Sequence, residues 1–365
     1  MKVIAQTAAL QEALNLAGGI VATRTSKPIL QCIKLVAEND TLTLLATDLE
    51  AGARRQVTAV QVEVPGEALL PADRLGGIVR ECNEESITIE TDKDACHIRA
   101  AGSHFKIFGY DPGEYPAIAE FDGDADFSIA TDHISGMIGK TLFATAKAHS
   151  HYAISGVLWE ASGKNLQMVA TDGHRLAMVK GSLDKAASKD ISAVVPAKLM
   201  GLIQRLAGEG AQNMDVRIDE NQILVRTANA VLVSSLVQGN FPKYSDVIPT
   251  DTINRATIIA SEFQHRVRQA ALLTNEESRG VRIAFEADKI VLSSRAPEAG
   301  EAEVTCEAKY DGQDMAIGFN PAFLVDAMRI IDADEISFEM NASNKPAVIK
   351  TGSDFLYVIM PVSLD

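Results

Sequence analysis

The chain has 365 residues, 47% of them apolar and 23% charged, with a formal net charge of −15. That is too long for one ordinary core and predicts two or three domains in a well-folded, soluble protein. No apolar run is long enough to span a bilayer, Gln6 and Gln11 come too early for a secretion signal, and four cysteines without CxxC spacing argue against a zinc module or disulfide framework.

The first predicted element is a helix over 7–24, opened by Thr7, a residue type favoured at helix N-caps. "ILQCIKLVAENDTLTLLATD" (29–48) alternates apolar and polar residues about an Asn-Asp turn and predicts a hairpin. "LPADRLGGIVREC" (70–82) sets an apolar helical face behind Pro71, read as a first-turn proline whose missing N–H costs nothing. "GYDPGEYPAIAEFDGDAD" (109–126) is rich in Pro, Gly and Asp and predicts a linker.

The same order then returns twice. A helix over 131–149 begins at Thr131, a hairpin follows over 153–172, Pro196 leads a helix over 195–207, further strands fill 214–237, and "QGNFPKYSDVIPTDTIN" (238–254) is the next linker. A third helix set begins at Ser261 (261–273), followed by a strand pair over 280–294 and the Pro321-led helix over 320–331. Pro71, Pro196 and Pro321 are spaced by 125 residues both times, so the chain reads as three copies of one unit: domains 1–120, 126–250 and 251–365.

"QMVATDGHRLAM" (167–178) concentrates polar chemistry between apolar residues. Asp172 and His174 can hold a metal together, or a His beside an Asp can serve as a general base. Against this, "LLATDLEAG" (44–52) repeats the ATD step with Thr47 and Thr171 separated by 124 residues, which favours a strand-end turn where Asp bonds nearby N–H groups. Gly173, His174 and Arg175 stay particular to the second unit. GxGxxG, Walker A, HExxH and GxSxG are all missing, and His149 and His151 lack a third ligand nearby, so neither cofactor, metal nor catalytic constellation is expected.

Positive charge gathers on the helix candidates. They carry Arg24, Arg74, Arg80, Lys140, Lys147, Lys198, Arg205, Arg266, Arg268 and Arg329 against six acids, a net +4 that leaves −19 for everything else. Surface helices carry such residues for solubility too. If the helices share one surface, however, a basic wall inside an acidic shell would hold a polyanion there and repel it elsewhere.

The threefold unit, "VATDGHRLA", "NEESRGVRI" (275–283) and the terminal "YVIMPVSL" together resemble the bacterial sliding clamp family, the beta subunit of DNA polymerase III, over the whole chain. The resemblance implies an α+β fold of three repeated DNA-clamp domains, each with two helices packed on antiparallel sheets, closing as a head-to-tail homodimeric ring. Twelve helices at about 10 Å spacing would enclose a hole of roughly 28 Å, wide enough for a duplex and its water. It implies a non-catalytic processivity factor in the cytoplasm, associated with the nucleoid during replication, without membrane contact or cofactor. Its partners would be sequence-independent duplex DNA, the polymerase alpha subunit, the clamp loader, and other polymerases and repair proteins that dock through short linear motifs.

By the same resemblance, motifs dock in a cleft formed by Ile154, Thr171, Gly173, His174, Arg175 and Leu176, with Pro242 and Val247 from the second linker. Phe323, Val358, Met360, Pro361 and Val362 complete it. Such a list is mostly apolar with a few orienting polar groups, as peptide pockets are. His174 and Arg175 would shape the rim. Asp246 and Ser363 stand where the family often has basic residues, and Asp365 extends the chain, so an acidic motif is expected to bind less well. Arg24, Lys147, His149, His151 and Tyr152 would face DNA, along with the helix cations above. Phe105 and Ile107 would meet Leu272 and Leu273 of a second copy at the ring seam.

Overall fold

A computed structural model describes residues 1–92, 95–147, 152–208, 210–274, 280–297 and 300–363. Six helices lie among them: α1 (Thr7–Gly18), α2 (Ala72–Glu81), α3 (Thr131–Gly139), α4 (Ala197–Ala207), α5 (Ala260–Ala271) and α6 (Pro321–Ile330). Each predicted repeat contributes two, and all strand pairings are antiparallel, so the α+β expectation holds. None of the helices is long and apolar enough to cross a membrane.

By packing, the chain divides into two compact units. One comprises Met1–Ser135, Leu183–Lys189 and Lys198–Leu236; the other comprises Gly136–Ser182, Asp190–Ala197 and Val237–Asp365. Within the first, a five-stranded sheet accompanies an eight-stranded one in which Ala51–Val57 of repeat one pairs with Ala230–Ser235 of repeat two. Within the second, a twelve-stranded sheet is joined where Arg175–Ser182 of repeat two pairs with Phe355–Ile359 of repeat three. Sheet pairing satisfies strand edges that would otherwise stay open, so the middle repeat is shared between both units.

Periodicity located the cores correctly. On α4, Leu199, Leu202, Ile203 and Leu206 are buried as their spacing predicts, and α5 buries Phe263, Val267 and Ala270. Each fully buried side chain of this size contributes about 1.5–3 kcal/mol. The predicted first hairpin turns on Asn39 and Asp40, both in the left-handed region that a two-residue turn requires.

Helix ends depart from expectation. α1 stops at Gly18 rather than at 24, because two successive glycines favour coil over helix, and Arg24 lies on the loop beyond. α3 stops at Gly139 rather than at 149; Thr141 Oγ1 donates to Met137 O at 3.0 Å, satisfying a helix-end carbonyl, and Lys140 and Lys147 fall past the end. His149 and His151 lie outside the described residues. Nor do the hydroxyls cap. Thr7 and Thr131 are the first residues of their helices, and their hydroxyls donate to Glu84 O and to Ala211 O and Gln212 O. α5 begins at Ala260, one residue before Ser261. Each of these helices starts directly off a strand, which leaves no loop residue to cap. Pro71 and Pro196 end strands Gly66–Pro71 and Ile191–Pro196; Pro321 alone of the three enters the first turn, behind Asn320, whose side chain accepts from Ala322 N at 3.0 Å.

Two of the open strand edges among the described residues carry exposed apolar or acidic side chains. Ser103–Phe108 ends the five-stranded sheet. Gly300–Asp311 pairs over 300–307 with Lys289–Ala296 on one side and over 308–311 with Asn254–Ile259 on the other, so the second edge of 300–307 has no partner strand.

Candidate functional site

The stretch around Asp172 is a turn between strands Asn165–Thr171 and Arg175–Ser182. Asp172 Oδ1 accepts from His174 N (3.0 Å) and Arg175 N (3.1 Å), and Thr171 Oγ1 accepts from Gly173 N at 3.1 Å. Gly173 has φ +91°, which only glycine adopts cheaply. Asp48 builds the same turn in repeat one, accepting from Glu50 N (3.0 Å) and Ala51 N (2.7 Å). The carboxylate is therefore committed to the backbone, and its second oxygen accepts from Arg175 Nε at 2.9 Å. Among the described residues no group of three or more metal-binding side chains exists. Both oxygens of Asp172 are thus engaged by the turn and by Arg175, which accounts for the residue as a scaffold element.

Arg175 does not sit at a rim. It is 8% exposed, and its guanidinium donates to Asp172, to Asp326 Oδ2 (2.8 Å) and to Phe143 O (2.9 Å). Phe323 and Phe143 flank it, with ring centroids 4.5 and 5.4 Å from Cζ. Burial works against its charge, but Asp326 and Asp172 outweigh that and hold its pKa above the ordinary arginine value. His174 is exposed and stacks on Phe323 with centroids 6.3 Å apart.

Over this pillar lies a cleft of about 180 Å³, walled by Ile154, Thr171, Gly173, Arg175, Leu176, Pro242, Val247, Val358 and Met360. Nine of the expected residues thus come together. His174, Phe323, Pro361 and Val362 do not line it: the first two form their own stack, and Val362 N bonds Gly318 O at 2.9 Å. Tyr152, Lys243 and Tyr244 line it and were not expected there. For Tyr244 the available signal was its place in the second linker, two residues past Pro242. Its hydroxyl donates to Glu160 (2.6 Å) and accepts from Gln167 (2.7 Å); burial and then Glu160 push its pKa to about 12, so it stays protonated.

The equivalent place in repeat one is filled. There Gly52 occupies the position of Leu176, and a Cβ on it would lie 2.9 Å from Ile118. Tyr115, the counterpart of Phe241, accepts from Thr47 N (2.9 Å) and donates to Cys32 O (3.2 Å), with its pKa pushed by burial to about 12. One linker plugs its groove; the other leaves its groove open.

The cations sort by element. Most arginines on strands pair with acids, as Arg54 with Glu120, Arg217 with Asp219, Arg226 with Asp215 and Arg295 with Glu301, whereas Arg282 forms no ion pair among the described residues. Among the described residues the helix arginines Arg74, Arg80, Arg205, Arg268 and Arg329 form no ion pair, while Arg266 reaches Glu262 at 3.5 Å. Lys198 pairs with Asp48 at 2.5 Å. Arg24, Lys147 and Tyr152 are exposed on loops, and Lys140 is half-buried.

Phe105 is exposed on the open edge strand Ser103–Phe108, and Leu272, just past α5, is 78% exposed. Leu273 is half-buried. Ile107, two residues from Phe105 and so on the same face of the strand, is buried at 7%, whereas Phe108 on the opposite face is 63% exposed. His104 and Lys106 are exposed on this strand, and Glu301, Glu303 and Glu307 are exposed along the open half of Gly300–Asp311.

Profiles of the DNA polymerase III beta subunit match the chain in three consecutive parts: the N-terminal domain over residues 1–119, the central domain over 128–243 and the C-terminal domain over 245–363. A beta sliding clamp of Pseudomonas aeruginosa is 30% identical over 362 residues, covering 98% of this chain and 99% of that one. The crystal structure of the DNA polymerase III beta subunit from Thermotoga maritima superposes with a TM-score of 0.94 at 26% identity, covering 100% of both chains. A Pseudomonas aeruginosa sliding clamp bound to griselimycin gives 0.93 at 30% identity, again over 100% of both.

Proposed function

The chain belongs to the DNA polymerase III beta subunit family, the beta sliding clamps that serve as that polymerase's non-catalytic processivity factor, and on that premise we propose how its own residues do this work. Two copies close head to tail around duplex DNA, each contributing domains 1–120, 126–250 and 251–365. The ring acts in the cytoplasm at the nucleoid. The observation that carries the reading is the uneven pairing of cations: among the described residues five of the six helix arginines form no ion pair, while most strand arginines pair with acids. Ion pairing would have been easy to supply in a chain with 49 acidic residues. Free guanidinium groups on one class of element suit phosphates, which are bound without reading bases and so permit sliding.

The seam follows from the open edges. Antiparallel addition of Ser103–Phe108 to residues 300–307 of a second copy satisfies both edges and sets His104 and Lys106 near Glu301, Glu303 and Glu307. Phe105, Phe108, Leu272 and Leu273 supply apolar area there. The cleft over Arg175 takes short linear motifs of the polymerase alpha subunit, the clamp loader and other replication and repair proteins; its volume suits one or two apolar side chains, and Met360 adapts its wall to different ones. A repeat-built peptide scaffold without DNA would use the same cleft.

Retention on nicked circular DNA after loading by a clamp-loader fraction separates these readings. The ring predicts that protein stays on circles and runs off once they are linearised. Equal retention on both forms would sink topological closure.

A further inference from the structure

Two imidazoles meet on the outer face of the five-stranded sheet. His97 belongs to strand Ala95–Ala100 and His104 to the edge strand Ser103–Phe108. In their antiparallel register His97 stands opposite Lys106, and Arg99 opposite His104. The two histidines are therefore diagonal neighbours on one face, a spacing that long side chains bridge. Cys96 and Ile98, on the other face, are buried at 1% and 0%, which anchors the strand beneath the pair.

His97 Nδ1 lies 2.9 Å from His104 Nε2, and the rings stack with centroids 5.1 Å apart and planes 20° apart. His97 is half-buried and His104 exposed. The separation suits a hydrogen bond between neutral rings. It suits coordination equally well, since two nitrogens held at a right angle, each about 2.0–2.1 Å from an ion, are about 2.9 Å apart. A tetrahedral pair would stand wider, at about 3.3 Å. Right-angled imidazoles with the remaining positions open to water are the setting of Cu²⁺ and Ni²⁺, and nitrogen ligands bind Cu²⁺ the more tightly of the two. Converging both lone pairs on an ion needs the exposed His104 ring to turn. The proton between the rings then passes to the outer nitrogen of the ring that carried it.

The charges around the pair are mixed. His97 also stands opposite Glu90 on its other side, and Glu90 holds Arg99 at 2.5 Å, so that cation is answered locally. Lys106 leans over the Phe108 ring, 5.6 Å from its centroid, and remains as a positive charge opposing an ion.

We propose that His97 and His104 form a two-histidine binding site for a divalent transition-metal ion, Cu²⁺ by preference, which cross-links the edge strand to its neighbour. The site stands on the sheet's own register and does not depend on the clamp reading or on that edge being a seam.

The test adds CuCl₂ to the full-length protein and reads electron paramagnetic resonance and thermal melting. The parent is expected to give a tetragonal copper signal split by two imidazole nitrogens. It is also expected to melt later with the ion than without, because a ligand bound only by the folded state stabilises it. His97→Gln and His104→Gln are each expected to lose the two-nitrogen splitting and the thermal shift and to weaken binding severalfold. Lys106→Gln is expected to tighten binding by removing a like charge. The double variant His149→Ala with His151→Ala removes the chain's other closely spaced histidines and is expected to change nothing. Melting without metal verifies that each variant folds. Parental affinity and splitting in either glutamine variant overturns the site. Loss of the signal in the His149 and His151 double variant overturns it too, by assigning the ion to that segment.

Discussion

Arg175 and Asp326 meet at 2.8 Å across 151 residues of chain, joining the turn that opens strand Arg175–Ser182 to helix α6. Repeat one has a related pair, Asp48 with Lys198 of α4, so in each compact unit the turn after the ATD step is tied to a helix of the following repeat.

The first prediction follows from the burial of Arg175. Removing a buried, multiply bonded charge leaves its partners uncompensated and costs about 3–5 kcal/mol. Arg175→Ala should lower the denaturation midpoint strongly, whereas Asp326→Asn, which keeps a hydrogen-bond acceptor at a 35% exposed side chain, should cost less. Chemical denaturation of both variants checks the order. Equal, small effects would mean that the guanidinium is not a pillar of the cleft.

At the proposed seam, Leu272→Ala with Leu273→Ala should yield folded monomers, because the exposed leucine contributes little to its own subunit's core. Analytical ultracentrifugation alongside thermal melting separates dissociation from unfolding. A dimer of undiminished affinity would refute the seam assignment.

Glu339 gives the pH prediction. Its side chain is 4% exposed and accepts from Lys350 (2.7 Å), Thr252 (2.8 Å) and Ser337 (3.0 Å), with Arg255 at 3.2 Å. Burial alone would raise its pKa, but these partners outweigh it and hold the carboxyl below the usual range. A folded pKa below the unfolded one gives stability that is complete above the ordinary carboxylate range and lost as pH falls through the folded value. Unfolding free energy measured from neutral pH down to strongly acid pH should therefore fall less steeply in Glu339→Gln, from a lower starting value. An unchanged acid limb would show that the network contributes nothing.

Asp246 is exposed beside Val247 of the cleft wall. Asp246→Lys should raise affinity for a motif peptide carrying an acidic residue and leave a neutral peptide's affinity unchanged, as titration calorimetry would record. Equal gains for both peptides would point to altered cleft shape and not to charge.

Much of this was legible in the sequence, for identifiable reasons. The 125-residue prolines marked the repeat because each stands at the same strand-to-helix junction, and the apolar faces of α4 and α5 followed from their 3.6-residue period. Helix ends were misread at 24 and 149 because apolar and small residues continue past Gly18 and Gly139, and a one-dimensional pattern does not show where packing stops. The shared middle repeat was invisible, since pairing of Ala51–Val57 with Ala230–Ser235 joins segments far apart in sequence. The resemblance implied Arg175 at the rim; two carboxylates and a carbonyl, drawn from three regions of the chain, bring its guanidinium inside.

The plugged groove has a consequence for traffic. With Ile118 and Tyr115 occupying the first repeat's position, the proposed docking cleft over Arg175 has no counterpart in that repeat, and the proposed two-copy ring carries two such clefts. On that proposal, an enzyme holding one cleft leaves the other for a newcomer, which is then kept at high effective concentration beside its rival. Exchange then becomes a local contest for one seat, decided by dissociation rates and not by capture from bulk solution. Refilling or emptying that first groove would change the number of seats, and with it the rule by which the ring passes from one occupant to the next.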